Sequence, residues 1–268
     1  MIAASTITPV TVGGMTVRIH CDSEEFAAMA RQRYAGFVAD TAADPAAEIE
    51  VELIERTGLD PDQDLEVALD GAEWNLVRGD FIARWNPSTR RATVRQNLNP
   101  YSLDSVLRVI HSLEVVAAGG FLLHSASAVR NGRAWLFSGK SGAGKTTISR
   151  LAPPDASLLT DEISYARPDS SGVWIAYGTP FYGELARPGD NISAPLAMAC
   201  FLEKGPENHL DPLSVTEATG RILANVLFFA KDPALAARVL DNACAFAANV
   251  PASRLTFRPD PSVWELIR

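Results

Sequence analysis

Gly139-Lys140-Ser141-Gly142-Ala143-Gly144-Lys145-Thr146 fits Gly-x-x-x-x-Gly-Lys-[Ser/Thr] at every fixed position. Before it, Ala134-Trp135-Leu136-Phe137-Ser138 is a short apolar run with the pattern of a buried strand. After it, Thr147-Ile148-Ser149-Arg150-Leu151 continues as a helix until Pro153 and Pro154 stop it. Strand, glycine loop and helix start follow in the order that polyphosphate binding needs. Glycines let backbone N–H groups converge on phosphate oxygens, and the helix N-terminus adds partial positive charge. With 18 Gly and only four Lys in 268 residues, an accidental match is roughly a one-in-several-hundred event. On this reading Gly139, Ser141, Gly142, Ala143 and Gly144 cradle phosphates, Lys145 reaches the β- and γ-phosphates, and the Thr146 hydroxyl is a Mg²⁺ ligand. Thr147 stands beside them in the first helical turn, where packing or a local hydrogen bond competes with ligand contact.

Composition bounds the rest. A chain of 268 residues that is 47% hydrophobic can bury one large or two modest cores. A net charge of −8 opposes general affinity for nucleic acid or for an anionic membrane. Cys21, Cys200 and Cys244 are odd in number, widely spaced and without a Cys-x-x-Cys pair, which suggests neither a disulfide framework nor a zinc site and points to a reducing, cytoplasmic setting. Met1 to His20 carries no basic segment followed by an apolar stretch, and no run approaches the ~18 apolar residues of a membrane span.

The flanking chain divides near Asn99-Pro100. Residues 1–100 read as a small α+β domain. Its strands are Met15–His20, the Ile49/Val51/Leu53 run, the Leu65/Val67/Leu69 run, Phe81–Trp85 and Arg91–Arg95. Ser23 caps one helix carrying Phe26, Met29, Tyr34 and Phe37, and the pattern predicts an antiparallel sheet. Asp40 to Ala47 reads as a polar, alanine-rich loop. Residues 101–268 read as an α/β nucleotide-binding domain. It begins with a helix from Ser102 to Gly119-Gly120, followed by strands at Phe121–His124 and Ser127–Arg130. A hairpin turn at Asn131-Gly132 then feeds the strand before the loop. Ser157–Thr160 is an apolar strand running into Asp161-Glu162. A hairpin spans Ile163–Tyr177, Gly178–Glu184 forms a second glycine-containing loop, and Ala197–Leu202 is another buried strand. Ser214-x-x-Glu217 and Asp232-Pro233 start helices, Leu255–Arg258 is a late strand, and Ser262-x-x-Glu265 starts a terminal helix.

The region from about Gly120 to Gly183 resembles the catalytic domain of HPr kinase/phosphorylase and, more distantly, the nucleotide site of phosphoenolpyruvate carboxykinases. Three features carry the resemblance: the His of Leu123-His124-Ser125 about fifteen residues before the loop, the loop itself, and Asp161-Glu162 about fifteen residues after Thr146. It implies a P-loop domain with a mixed sheet of that type and phosphoryl transfer from ATP with Mg²⁺. The acceptor would be a hydroxyl, with a serine of a protein or peptide ahead of a small molecule. HPr kinases carry two aspartates where this chain has Asp161-Glu162, and the segment tied to their phosphorylase activity has only the echo Arg187-Pro188-Gly189-Asp190-Asn191. Neither dephosphorylation nor a hexamer therefore follows, and oligomeric state stays open.

Phosphoryl transfer asks a protein mainly for positioning and charge neutralisation. Lys145 and Thr146 supply the first half. Asp161 and Glu162 divide the roles of metal ligand and proton acceptor in an order the residues leave open, and His124 is a general base or its partner. Gly183, Glu184 and Arg187 can approach the phosphates or serve as surface and packing residues. A competing reading keeps the loop in a nucleotide-binding regulatory or scaffold protein that performs no transfer. The absence of Asn-Lys-x-Asp and Leu-Ser-Gly-Gly-Gln segments disfavours a GTPase switch and an ABC-type ATPase.

Overall fold

A computed structural model describes residues 6–39 and 45–268, so most of the Asp40 to Ala47 loop lies outside the described residues. The fold is mixed α/β, in two compact units: residues 1–113 with 229–233, and residues 114–228 with 234–268.

In the first unit β1 (Thr6–Val12) and β2 (Met15–Cys21) form a hairpin about Gly13-Gly14, both at positive φ. Strand β1 is absent from the sequence reading because Pro9 interrupts its pattern; it is tolerated because β1 ends the strand order. Helix α1 (Glu24–Arg33) starts where Ser23 accepts from the Phe26 N–H at 3.2 Å. Beyond it come β3 (Ala47–Leu53), β4 (Glu66–Asp70), β5 (Glu73–Arg78), β6 (Phe81–Asn86) and β7 (Arg91–Gln96). Among the described residues they make a seven-stranded sheet in the order β1-β2-β3-β7-β6-β5-β4. The sheet is mixed, correcting the antiparallel expectation. β2 pairs β3 in parallel, with α1 as the crossover that parallel neighbours require, and β3 pairs β7 in parallel. Helix α2 (Pro100–Ala117) opens two residues ahead of Ser102. The Asn99 carboxamide oxygen accepts from the Tyr101 and Ser102 N–H groups, and Pro100 takes the first helical position.

The second unit holds β8 (Phe121–Arg130), β9 (Arg133–Ser138), α3 (Lys145–Arg150), β10 (Ser157–Thr160), β11 (Ile163–Pro168), β12 (Trp174–Tyr177), β13 (Ser193–Lys204), β14 (His209–Pro212), α4 (Val215–Leu223), α5 (Pro233–Asn249) and β15 (Ala252–Phe257). The sequence pattern predicts two strands over residues 121 to 130, where the structure has one. The buried Ser127 hydroxyl is satisfied inside the sheet, accepting from the Ser164 hydroxyl at 2.9 Å. Strand β8 pairs β11 through Phe121 to His124 and β9 through Ser125 to Arg130. β11 pairs β12, β12 pairs β13, and β13 returns to β9, so five strands close a ring. β10 lines up with β11 along one edge of β8, while β15 and β14 extend the sheet beyond β13.

Phe121, Trp174 and Phe246 pack in one core cluster of this unit; Phe137, Ile148, Phe257 and Trp264 pack in another, which holds α3. The Trp264 indole N–H donates to the Ile148 carbonyl at 3.1 Å. The terminal segment is a 3₁₀ turn, Pro261–Glu265, capped by Asp260 rather than a helix capped by Ser262. Helix α4 carries the predicted capping box, with Ser214 and Glu217 bonding reciprocally. Among the described residues no helix is long and apolar enough to cross a membrane.

Candidate functional site

Hairpin register explains why His124 and the glycine loop meet. Asn131 and Gly132 both hold positive φ, 53° and 73°, which makes a two-residue turn. From there Arg130 faces Arg133 and Ser125 faces Ser138. Carrying the same register one step further brings His124 level with Gly139. On its other edge His124 pairs with Ile163, and the Ser125 N–H donates to the Glu162 carbonyl at 3.1 Å. Histidine, loop and acidic pair therefore converge through one strand.

The acidic pair is an interruption between β10 and β11 rather than the free end of a strand. The Thr160 hydroxyl accepts from the Glu162 and Ile163 N–H groups at 3.1 and 3.2 Å and turns the chain there. Asp161 and Glu162 lie in that bend, and their side chains have different surroundings. Asp161 is 4% exposed, with one carboxylate oxygen accepting from the Gly183 N–H and the other from the Leu185 N–H, both at 2.9 Å. Glu162 is half-buried and turned toward the loop, its Oε1 lying 3.6 Å from His124 Nδ1. A Cβ on Gly183 would sit 2.6 Å from the Glu162 carboxylate, so the 183–185 loop that Asp161 anchors is also a wall for Glu162.

The glycine loop has its own constraints. A Cβ on Gly139 would meet the Ala143 methyl at 2.8 Å, and one on Gly144, at φ 112°, would meet the Phe257 ring at 2.6 Å. Gly142 also holds positive φ, at 76°. The Ala143 N–H donates to the Lys140 carbonyl at 3.0 Å, which folds the loop on itself and commits that donor. Lys145 is buried, and its ammonium donates to the Gly139 carbonyl at 3.0 Å. Burial lowers its pKa from the ordinary lysine value, against the opposing pull of the Glu162 and Glu184 carboxylates. Helix α3 has only six residues, so its macrodipole adds less to anion binding than the sequence argument supposes; the loop N–H groups and lysine charge remain.

Two clefts flank this loop and share His124, Ser141 and Gly142. The polar one, about 680 Å³, is lined by Lys145, Thr146, Thr147, Glu162, Glu184 and Lys204. The other, about 930 Å³, is walled by Gly139 to Ala143, the end of β13 and residues 224–227. Gly183 and Glu184 thus border the polar cleft, while Asp161 and Arg187 line a separate small cavity. Thr147 lies in the polar cleft beside Thr146, with its carbonyl accepting from the Leu151 N–H.

The sequence reading overlooks Lys140, Lys204, Arg221 and the 224–227 segment. Scarcity was the usable signal, since the chain has only four lysines and Lys140, Lys145 and Lys204 all border these clefts. Lys140, Lys145, Arg150, Lys204 and Arg221 outnumber Glu162, Glu184 and Glu203 along the clefts, and this local excess of positive charge in a protein of charge −8 suits an anionic ligand.

No curated protein matches the chain. A model of the family described as SynChlorMet cassette protein ScmC matches residues 91–268, which include every residue of both clefts.

Proposed function

The chain belongs to the ScmC family, and we propose that this member is an ATP- and Mg²⁺-dependent kinase of HPr kinase-like type that phosphorylates a hydroxyl, with a protein or peptide serine as the leading acceptor class. The carrying observation is the convergence of Lys145, Thr146, Glu162 and His124 on one polar cleft. In this reading residues 139–146 form a P-loop whose N–H groups cradle the β- and γ-phosphates, and the Lys145 ammonium neutralises them.

The residues present fit magnesium. Mg²⁺ keeps most of its shell as water and phosphate oxygen, taking one or two protein ligands. The Thr146 hydroxyl and the Glu162 carboxylate would be those ligands, and the ion would neutralise charge on the transferring group. His124, between the two clefts and beside Glu162, accepts the acceptor's proton. Asp161 acts through the 183–185 loop as a positioning residue, so the metal role that the residues alone leave open falls to Glu162.

The test combines nucleotide binding with phosphoryl transfer. Lys145→Ala should abolish the new phosphorylated species that the wild-type protein and ATP generate in a lysate fraction, read by mass spectrometry, with transfer down by at least about 10²-fold. Undiminished transfer by that variant overturns the assignment. Transfer by neither protein, with nucleotide still bound by the wild type, favours the scaffold reading.

A further inference from the structure

The second cleft, about 930 Å³ beside the loop, has no part in the phosphate chemistry just described beyond His124 and the loop residues that form its near edge. Its floor is apolar, made by Phe201 and Leu202 at the end of β13 and by Ala224, Val226 and Leu227 beyond α4. This wall is a built part of the fold. The His124 N–H donates to the Asn225 carbonyl at 2.8 Å and the Leu227 N–H to the Leu122 carbonyl at 2.9 Å, fastening residues 225–227 along the first half of β8. Arg221 pairs with Glu203 at 3.2 Å and lies over the Phe201 ring, 5.9 Å from its centroid, closing one side.

We propose that this cleft holds the phosphoryl acceptor, and that the acceptor is a hydroxyl carried on an apolar body rather than a sugar or polyol. The inference rests on the kinase reading above. In-line transfer places the attacking oxygen on the side of the γ-phosphorus opposite the leaving group. With the triphosphate in the polar cleft along Lys145 and Thr146, the attacking side opens at the residues both clefts share, His124, Ser141 and Gly142. His124 stands at that seam. There the acceptor oxygen forms a bond to the γ-phosphorus, the bond from that phosphorus to the β,γ-bridging oxygen breaks with its electron pair left on ADP, and the hydroxyl proton passes to His124. The class of acceptor follows from the lining. A polyol needs a partner for each buried hydroxyl, but on the wall away from the loop Phe201, Leu202, Ala224, Val226 and Leu227 are apolar, Glu203 and Arg221 pair with each other, and the Asn225 side-chain amide N–H donates to the Arg221 carbonyl at 2.8 Å, which leaves the remaining polar side chains, His124, Lys140 and Ser141, at the loop edge.

Ala224 is exposed, so Ala224→Trp narrows the cleft without disturbing the core. Three measurements on the full chain separate the outcomes: binding of Mg-ADP, binding of tripolyphosphate, and transfer from ATP. Transfer is read on an array of serine peptides with apolar or charged neighbours and on a panel of aliphatic alcohols and sugars. The expected result is wild-type transfer that favours hydroxyls with apolar neighbours and falls at least about tenfold in Ala224→Trp, while ADP affinity shifts by less than about threefold. Preference for peptides or for free alcohols identifies the source of the apolar body. Loss of ADP binding in Ala224→Trp with tripolyphosphate still bound makes the cleft a nucleobase pocket and overturns the inference, leaving the phosphate-loop reading intact. Wild-type transfer only to sugars or charged peptides, or to none of the array, also overturns it. If wild-type protein binds neither ADP nor tripolyphosphate, the underlying reading is at fault instead.

Discussion

Adjacent carboxylates separated by one peptide bond have different work here. Asp161 spends both oxygens on the N–H groups of Gly183 and Leu185, whereas Glu162 faces His124 at 3.6 Å and contributes to the field around Lys145. Amide substitutions discriminate between these jobs. Asp161→Asn turns one acceptor oxygen into a donor facing an N–H group, so it should destabilise the fold by about 1–3 kcal/mol and reduce transfer only through the loosened 183–185 loop. On the proposed kinase reading, Glu162→Gln should leave stability within about 0.5 kcal/mol yet lower transfer by about 10²-fold. Urea denaturation beside single-turnover rates reads both, and an interchange of the two phenotypes would overturn the division of roles. The nonequivalence is invisible in the dipeptide Asp161-Glu162, because the surroundings of each acid depend on the turn that Thr160 makes between β10 and β11.

At the level of elements, α3 is six residues long and depends on its surroundings more than on helical propensity. Gly144 joins it to the loop at φ 112°, directly beneath the Phe257 ring of β15. Gly144→Ala should therefore cost about 1–3 kcal/mol for the backbone conformation, with a further penalty from the ring. Thermal unfolding of Gly144→Ala and of the double variant with Phe257→Ala should show partial recovery in the double. Full recovery would mean that the ring contact, rather than the left-handed backbone, accounts for the glycine. The strand-loop-helix order was legible because its punctuation is local: Asn131-Gly132 sets the hairpin and Pro153-Pro154 ends the helical run. The parallel pairing of β3 with β2 and β7 was not legible, since alternating apolar residues fit either strand direction. Likewise no alternation marks β14, none of whose four residues is buried.

Stability of the whole molecule should depend on acidity through His111 on α2, which is fully buried. Burial pushes its pKa down from 6.5 to about 4. The unfolded chain then binds the proton more readily than the folded one, so the contribution is fully present above pH 6.5 and declines as pH falls toward 4. The span corresponds to on the order of 3 kcal/mol. Urea midpoints at pH 7.5 and pH 5 should differ more in the wild type than in His111→Gln; equal pH slopes in the two proteins would remove His111 as the cause. Residue order was sufficient to mark the glycine-loop motif, the Ser214 capping box and the hairpins, because each is written in residues a few positions apart. Its composition also recorded the scarcity of lysine. Closure of five strands into a ring, the turning of Asp161 away from Glu162, and the gathering of Lys140, Lys145 and Lys204 around paired clefts arise only on folding. They depend on pairings between distant segments, and a strand's pattern records which side is buried but not which neighbour lies beside it.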